Sequence, residues 1–206
     1  SALTSGLDNL EAHVEAVRPV KVPVLIGLNR CPSDTARGYA AVKERCARLG
    51  VEAHVADVFG QGGPGGVELA QGLLKLLANE RSAFSPLYAL DDPITVKLDT
   101  IARRIYGADG VEYPKRVERQ IAQAENLGYG RLPICVAKTQ RSLSDDPTLL
   151  NRPRGFKITV NEMRISAGAG FLVAITGDIT TMPGLPRRPN AERVDVTPDG
   201  TITGLF

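Results

Sequence analysis

The stretch that decides the fold is residues 23–66, which read PVLIGLN (23–29), RCPSDTARGYAAVKERCARLG (30–50), VEAHVADV (51–58) and FGQGGPGG (59–66). The first segment is a short apolar run typical of a strand buried on both faces, and the third predicts a second strand. Ser33 or Asp34 is placed to cap a helix that continues to about Leu49, and Gly50 ends it. We therefore predict a strand–helix–strand unit followed by a glycine-dense loop.

The loops after the two predicted strands are expected to face one crevice. In a right-handed crossover, parallel neighbouring strands end at the same edge of the sheet. Open α/β sheets bind their ligands at that carboxyl edge. Residues 29–35 and 59–66 should accordingly lie side by side there, and any exposed aromatic among them is notable in a chain with 5% aromatic residues.

Composition limits the class of protein. The 206 residues are enough for one large domain or two small ones, and 43% hydrophobic with 23% charged residues is typical of a soluble globular chain. A net charge of +2 gives no reason to expect nucleic acid or an acidic membrane as partner. No apolar run is long enough for a membrane span. Cys31, Cys46 and Cys135 form neither a disulfide framework nor a zinc pattern, which favours a cytoplasmic location.

The remaining chain alternates helical and strand patterns. Helices are predicted over 67–79, 93–106 and 114–127, strands over 132–138, 156–165 and 171–176, and a hairpin near 194–203 in an irregular C-terminal tail. Phe84, Leu87 and Tyr88 are expected to pack inward. The predicted fold class is α/β, with a mainly parallel sheet flanked by helices. A first helix that leads directly into a buried strand predicts that this sheet is incomplete at its N-terminal side.

Two phosphate-binding motifs bear on the function of this glycine-dense loop. Gly60, Gly62 and Gly65 match the G-x-G-x-x-G fingerprint after a strand, but a glycine-rich loop matches it easily. Dinucleotide binding, binding of an anionic or carboxylate group, and a merely packed loop all stay open. A Walker A motif is absent from these 206 residues, so the sequence predicts no P-loop site for a nucleoside triphosphate.

No catalytic or metal-binding residue is predicted. His13 is expected on a helix surface and His54 in mid-strand, each without the orienting partner that a general base needs. Asp145 and Asp146 are as consistent with helix caps as with metal ligands. Cys31 lies at the predicted crevice, where a packed cysteine is a simpler interpretation than a reactive thiol.

Several ordered motifs across the chain resemble those of the formate–tetrahydrofolate ligase family, in particular its carboxyl-terminal portion. They are Asn29-Arg30-x-Pro32-x-Asp34-Thr35, Gly62-Gly63-x-Gly65-Gly66, Ile105–Asp109, Leu132–Gln140, Ser142–Pro147, Ser166–Phe171, Met182–Pro186 and Gly204–Phe206. The resemblance implies a first domain over 1–92, the end of a nucleotide-ligase-type α/β domain, and a C-terminal α/β domain over 93–206. It also implies a cytoplasmic homo-oligomer, expected to be a tetramer.

The resemblance further implies an activity and a binding site. The family forms 10-formyltetrahydrofolate from formate, ATP and tetrahydrofolate through formyl phosphate, and its P-loop, with ATP and Mg²⁺, belongs to a portion that this sequence lacks. The chain alone is then expected to be inactive. The family stacks the pterin ring between two aromatics, and here Cys31 stands where phenylalanine is usual and Phe59 where tryptophan is usual. The implied substrate-binding residues are Asn29, Cys31, Pro32, Val55, Phe59, Gly62 and Gly63.

Two other functions stay open beside this one. A non-catalytic binding or assembly module derived from the enzyme would keep the fold and lose folate turnover. A dinucleotide-dependent oxidoreductase would need a nicotinamide cofactor that raises the melting temperature on binding.

Overall fold

A computed structural model describes residues 2–177, 179 and 187–204, so the motif 182–186 and residues 205–206 lie outside the described part. The helices are α1 (Ala2–Val17), α2 (Ala36–Arg48), α3 (Val58–Gln61), α4 (Val67–Asn79), α5 (Ile94–Ile101) and α6 (Lys115–Asn126). The strands are β1 (Leu25–Asn29), β2 (Glu52–Ala56), β3 (Val111–Glu112), β4 (Ile134–Ala137), β5 (Ile158–Ser166), β6 (Phe171–Thr176), β7 (Asp195–Val196) and β8 (Ile202–Thr203).

The predicted strand–helix–strand unit is confirmed. β1 and β2 pair in parallel, from Leu25 opposite Glu52 to Asn29 opposite Ala56. α2 packs on β2, and α4 packs on both strands. Gly72 lets α4 approach closely, because a Cβ there would lie 2.5 Å from Nε2 of His54. The helix over 67–79 has the predicted bounds.

Two local predictions in this unit are wrong. The cap of α2 is Thr35, whose Oγ1 accepts a hydrogen bond from the Gly38 N–H, whereas Asp34 is engaged in the preceding turn. β2 ends at Ala56 instead of Val58, because the Asp57 side chain caps the short helix α3. A 3₁₀ turn over Gly63–Gly66 follows, so the glycine-dense segment is mostly helical turns.

The second half of the chain builds a four-stranded sheet in the order β3-β5-β6-β4. β3 runs parallel to β5 and β4 runs parallel to β6, while the central β5–β6 pair is antiparallel. A core of buried residues lies between this sheet and the helices α5 and α6; it includes Ile94, Leu98, Val117, Ile121, Val160 and Leu172. The α/β class is thus confirmed, and the tail contains the predicted hairpin as β7–β8.

In the segment between α4 and α5, three residues were predicted to pack inward, and one of them does not. Leu87 and Tyr88 are half-buried, and the Tyr88 hydroxyl accepts the Ile134 N–H at 3.0 Å. Phe84, which was expected to pack inward, is 65% exposed. No helix in the described ranges combines the length and apolarity that crossing a membrane requires.

α5 continues into a π-helical turn, Ala102–Tyr106, which Gly107 ends with a φ of 71°. The turn packs against α1 and carries Arg103 and Arg104. π-helical turns are uncommon and often occur at functional sites.

Candidate functional site

The loops that follow β1 and β2 leave the same edge of the two-stranded sheet, as predicted. The strands end together at Asn29 and Ala56, and the Arg30 N–H donates to the Ala56 carbonyl at 2.9 Å. The two loops are also joined by an ion pair, in which Nη1 of Arg30 lies 3.2 Å from Oδ2 of Asp57. This edge is where an open α/β sheet binds its ligand.

Asp57 organises the loop after β2. Its carboxylate accepts hydrogen bonds from Nε2 of Gln61 at 2.9 Å and from the Gly60 N–H at 3.2 Å. The Gln61 bond, then the Gly60 bond and the charge of Arg30, lower the pKa of Asp57 below its ordinary value. Asp57 was not among the predicted site residues, although an Asp at the start of a short helix is a capping signal.

The glycines close this loop against its own start. The Asp57 N–H donates to the Gly65 carbonyl at 3.0 Å, and a Cβ on Gly65 would lie 2.1 Å from the Asp57 carbonyl oxygen. The amides of Gly60, Gly62 and Gly65 donate to Asp57, Val58 and Gly62. Since the fingerprint amides are occupied within the loop, this arrangement argues against dinucleotide binding there.

The loop after β1 is a compact turn held by Asp34. Its carboxylate accepts the Cys31 N–H and the Tyr39 hydroxyl, both at 2.8 Å. The bond from Cys31, and then that from Tyr39, lowers the pKa of Asp34. A cavity of about 410 Å³ opens beside this turn and is lined by Asn29, Asp34 and Tyr39 among others. Tyr39 was not among the predicted site residues.

The structure places all the predicted site residues along or after the carboxyl ends of β1 and β2. Asn29, Cys31 and Pro32 are exposed, and Val55 is half-buried within β2. Phe59 lies on α3 with 98% of its surface exposed, and Gly62 and Gly63 follow it, also exposed. An exposed ring offers a flat apolar face on which an aromatic ligand can stack.

A third carboxyl-edge loop follows β4, in the other sheet, and contains Lys138. Its Nζ donates to the carbonyls of Thr139 and Ser144, both at 2.9 Å, and to that of Ser142. The same nitrogen lies 5.1 Å from the centre of the Tyr106 ring. Burial lowers the pKa of Lys138, with Asp145 opposing that shift. Three carbonyls engage all the ammonium protons, so Lys138 shapes its loop and is not available as a base.

A cavity of about 720 Å³ lies between α1 and this Lys138 loop. His13 and Asn9 line it from α1, and Asn9 also bonds to Asn151 through its side-chain amide at 2.7 Å. His54 lies elsewhere, in the middle of β2 as predicted. The expectation that it lacks a partner is wrong, because its Nε2 lies 3.3 Å from Oε2 of Glu52 and its Nδ1 lies 3.4 Å from Oε1 of Glu68. The two histidines therefore do not share a site.

Neither a Walker A loop nor a metal-ligating cluster marks a nucleotide site among the residues described. Residues 2–177, 179 and 187–204 hold no cluster of three or more His, Cys, Asp or Glu side chains suited to a metal ion. The sequence has no Walker A loop.

The fold and the edge define an α/β protein with a candidate small-molecule site at the carboxyl ends of β1 and β2, beside an exposed aromatic ring. Comparison with known protein families identifies the family of this protein. The family described as formate–tetrahydrofolate ligase matches residues 1–206. The chain belongs to this family, which implies an ATP-dependent ligase activity with formate and tetrahydrofolate as substrates.

Proposed function

We propose that this chain supplies the folate-binding side of a formate–tetrahydrofolate ligase, with the pterin ring bound between the two loops at the carboxyl edge of β1 and β2. The observation that carries the proposal is Phe59, an aromatic ring 98% exposed one helical turn beyond the end of β2. Family membership indicates tetrahydrofolate as the ligand class.

Phe59 offers one flat apolar face for stacking. α3 holds the ring at the sheet edge, and the capping bonds from Asp57 keep α3 at its position. An aromatic stacking pair contributes about 0.5–1.5 kcal/mol beyond the burial of its area. Asn29 and Pro32 on the first loop, Val55 on β2, and Gly62 and Gly63 after α3 would form the remaining walls.

Cys31 makes this pocket one-sided. A thiol cannot stack on a pterin as a second ring would, so affinity should be about two- to twelve-fold below that of a pocket with two aromatics. We expect binding that is weak but still dependent on Phe59.

The ligase chemistry is assigned to the whole protein. We propose that ATP, Mg²⁺ and the formyl phosphate intermediate are bound by residues outside these 206, since the sequence contains no P-loop and the part of the chain that the structure describes holds no metal-ligating cluster. The chain's own residues would position the pterin, and catalysis of this kind depends largely on positioning and charge stabilisation. A cytoplasmic homotetramer and a domain boundary near residue 92 are parts of the same proposal.

Calorimetric titration of the 206-residue chain with tetrahydrofolate tests the proposal. Phe59→Ala should lose the stacking and burial contribution and weaken binding at least tenfold. Phe84→Ala is the matched control, because Phe84 is also exposed, at 65%, but lies far along the chain from both loops. Its affinity should match that of the unsubstituted chain. Equal losses of tetrahydrofolate affinity in both variants, or an affinity that Phe59→Ala leaves unchanged, would contradict the role of Phe59 in binding the pterin.

A second candidate is an assembly module that no longer binds folate. The apolar face of α4 favours it, since Leu74 is 68% exposed and Leu77 58% exposed. In that case the chain would show no tetrahydrofolate binding, and Leu74→Gln with Leu77→Gln would reduce its mass in light scattering.

A further inference from the structure

A small cavity lined by arginines lies between α1, the π-helical turn and residues 152–154. Its volume is about 240 Å³. Arg103 and Arg104 line it from the turn, and Arg152 and Arg154 line it from the loop before β5. It is separate from the carboxyl edge of β1 and β2, and no residue of the proposed pterin pocket lines it.

Two of the four guanidinium groups are held in place by carboxylates. Nε of Arg103 lies 2.7 Å from Oδ2 of Asp99, one turn earlier on α5. Arg152 forms an ion pair with Glu15 and lies 3.9 Å from Glu11, both on α1. Glu15 also lines the cavity, but its charge is matched by Arg152.

The other two guanidinium groups have no such compensation. Within the ranges that the structure describes, Arg104 and Arg154 form no hydrogen bond and no ion pair. Two uncompensated positive charges at one concave surface repel each other and concentrate anions from solution. An anion bound between them would relieve the repulsion, and the neighbouring ion pairs would keep the walls in place.

We propose that this arginine cavity is a binding site for a small phosphate-class oxyanion, such as inorganic phosphate or diphosphate. The planar guanidinium fork binds phosphate oxygens through paired N–H donors, and Arg104 and Arg154 are free to do so. The volume is about eight times the ~30 Å³ that a water molecule occupies in the liquid, and it is below the range of drug-sized ligands. The site therefore suits an inorganic anion or a terminal phosphate group rather than a whole nucleotide.

Calorimetric titration with inorganic diphosphate at constant ionic strength tests the site. The variant Arg104→Gln/Arg154→Gln should bind diphosphate at least tenfold more weakly than the unsubstituted chain. The control is Arg131→Gln/Arg164→Gln, which removes the same charge from two exposed arginines outside the cavity. Its affinity should stay within about twofold, because general charge effects are small at constant salt. Circular dichroism of both variants checks that they fold.

Three results would overturn the proposal. They are the absence of diphosphate binding to the unsubstituted chain, an equal loss in the control variant, and citrate or sulfate binding as tightly as diphosphate. A second measurement does not depend on the variants: diphosphate should protect Arg104 and Arg154 from modification by phenylglyoxal, as seen by mass spectrometry, and leave Arg131 reactive. Tetrahydrofolate affinity should be the same in Arg104→Gln/Arg154→Gln, so failure here is distinguishable from failure of the pterin pocket.

Discussion

The loops after β2 and after β4 both lie at the carboxyl end of a parallel strand, yet they present opposite chemistry. The loop after β4 directs Lys138 inward, where three carbonyls and the Tyr106 ring surround the ammonium group. The loop after β2 directs its polar groups inward, through Asp57, and leaves the Phe59 ring in solvent. Position at a sheet edge is therefore not enough to define a binding site. The loop must also leave a side chain available to contact a ligand.

The largest effect is expected from the loop after β4. Lys138→Met removes the ammonium group and leaves the carbonyls of Thr139, Ser142 and Ser144 without their charged donor. Hydrogen bonds to charged groups contribute about 1.5–3 kcal/mol, and we expect the free energy of unfolding to fall by about 2–4 kcal/mol. Urea unfolding measures it. Tetrahydrofolate affinity, measured where the variant is folded, should not change. A variant as stable as the unsubstituted chain would contradict the structural role of Lys138.

Gly65→Ala is expected to have an intermediate effect in the loop after β2. The new Cβ would lie 2.1 Å from the Asp57 carbonyl oxygen, so the turn must open. We expect a loss of about 1–3 kcal/mol in the free energy of unfolding and weaker tetrahydrofolate binding, because α3 would shift with Phe59. Gly168→Ala is the control, since a Cβ there meets nothing within 4 Å and Gly168 lies in the turn between β5 and β6, outside the pterin pocket. If both variants bind equally well, the closed turn does not position Phe59.

The smallest effect concerns the pH dependence of the link between the two loops. The pKa of Asp57 is lowered in the folded chain, so its contribution to stability is fully present above the ordinary value of 3.8. That contribution is lost as pH falls below 3.8 and through the folded-state pKa. The stability difference between the unsubstituted chain and Asp57→Asn should be constant from pH 7 to about 5 and shrink below about pH 4. If the stability difference between the two chains grew as the pH fell, it would contradict a lowered pKa of Asp57 in the folded chain.

The features that depend on apolar periodicity, namely the strand–helix–strand unit and the edge at which its loops lie, were predicted from the sequence. Two short apolar runs with a helix between them fix the strand order, and parallel pairing then brings Cys31 and Phe59 to one edge. The capping details were predicted less well. Asp34 has the right chemistry for a helix cap, but it binds the Cys31 N–H and the Tyr39 hydroxyl instead, which leaves the cap to Thr35.

Other features depend on tertiary contacts that no local pattern contains. The helix α4 was predicted, but the exposure of its Leu74 and Leu77 was not, because it depends on a sheet of two strands that is too narrow to cover them. The convergence of Arg104 and Arg154 requires a loop fifty residues away to return to the π-helical turn. The contribution of Cys31 to affinity was inferred from the family resemblance, and it remains a prediction.

The most direct test of the pterin pocket is to supply the missing ring. Calorimetry with tetrahydrofolate should compare the unsubstituted chain, Cys31→Phe, Phe59→Ala and the double variant. If both positions contact one pterin, Cys31→Phe should tighten binding about two- to twelve-fold, and Phe59→Ala should reduce that gain through coupling between the two sites. An affinity that Cys31→Phe leaves unchanged or weakens would contradict a ligand bound between these loops.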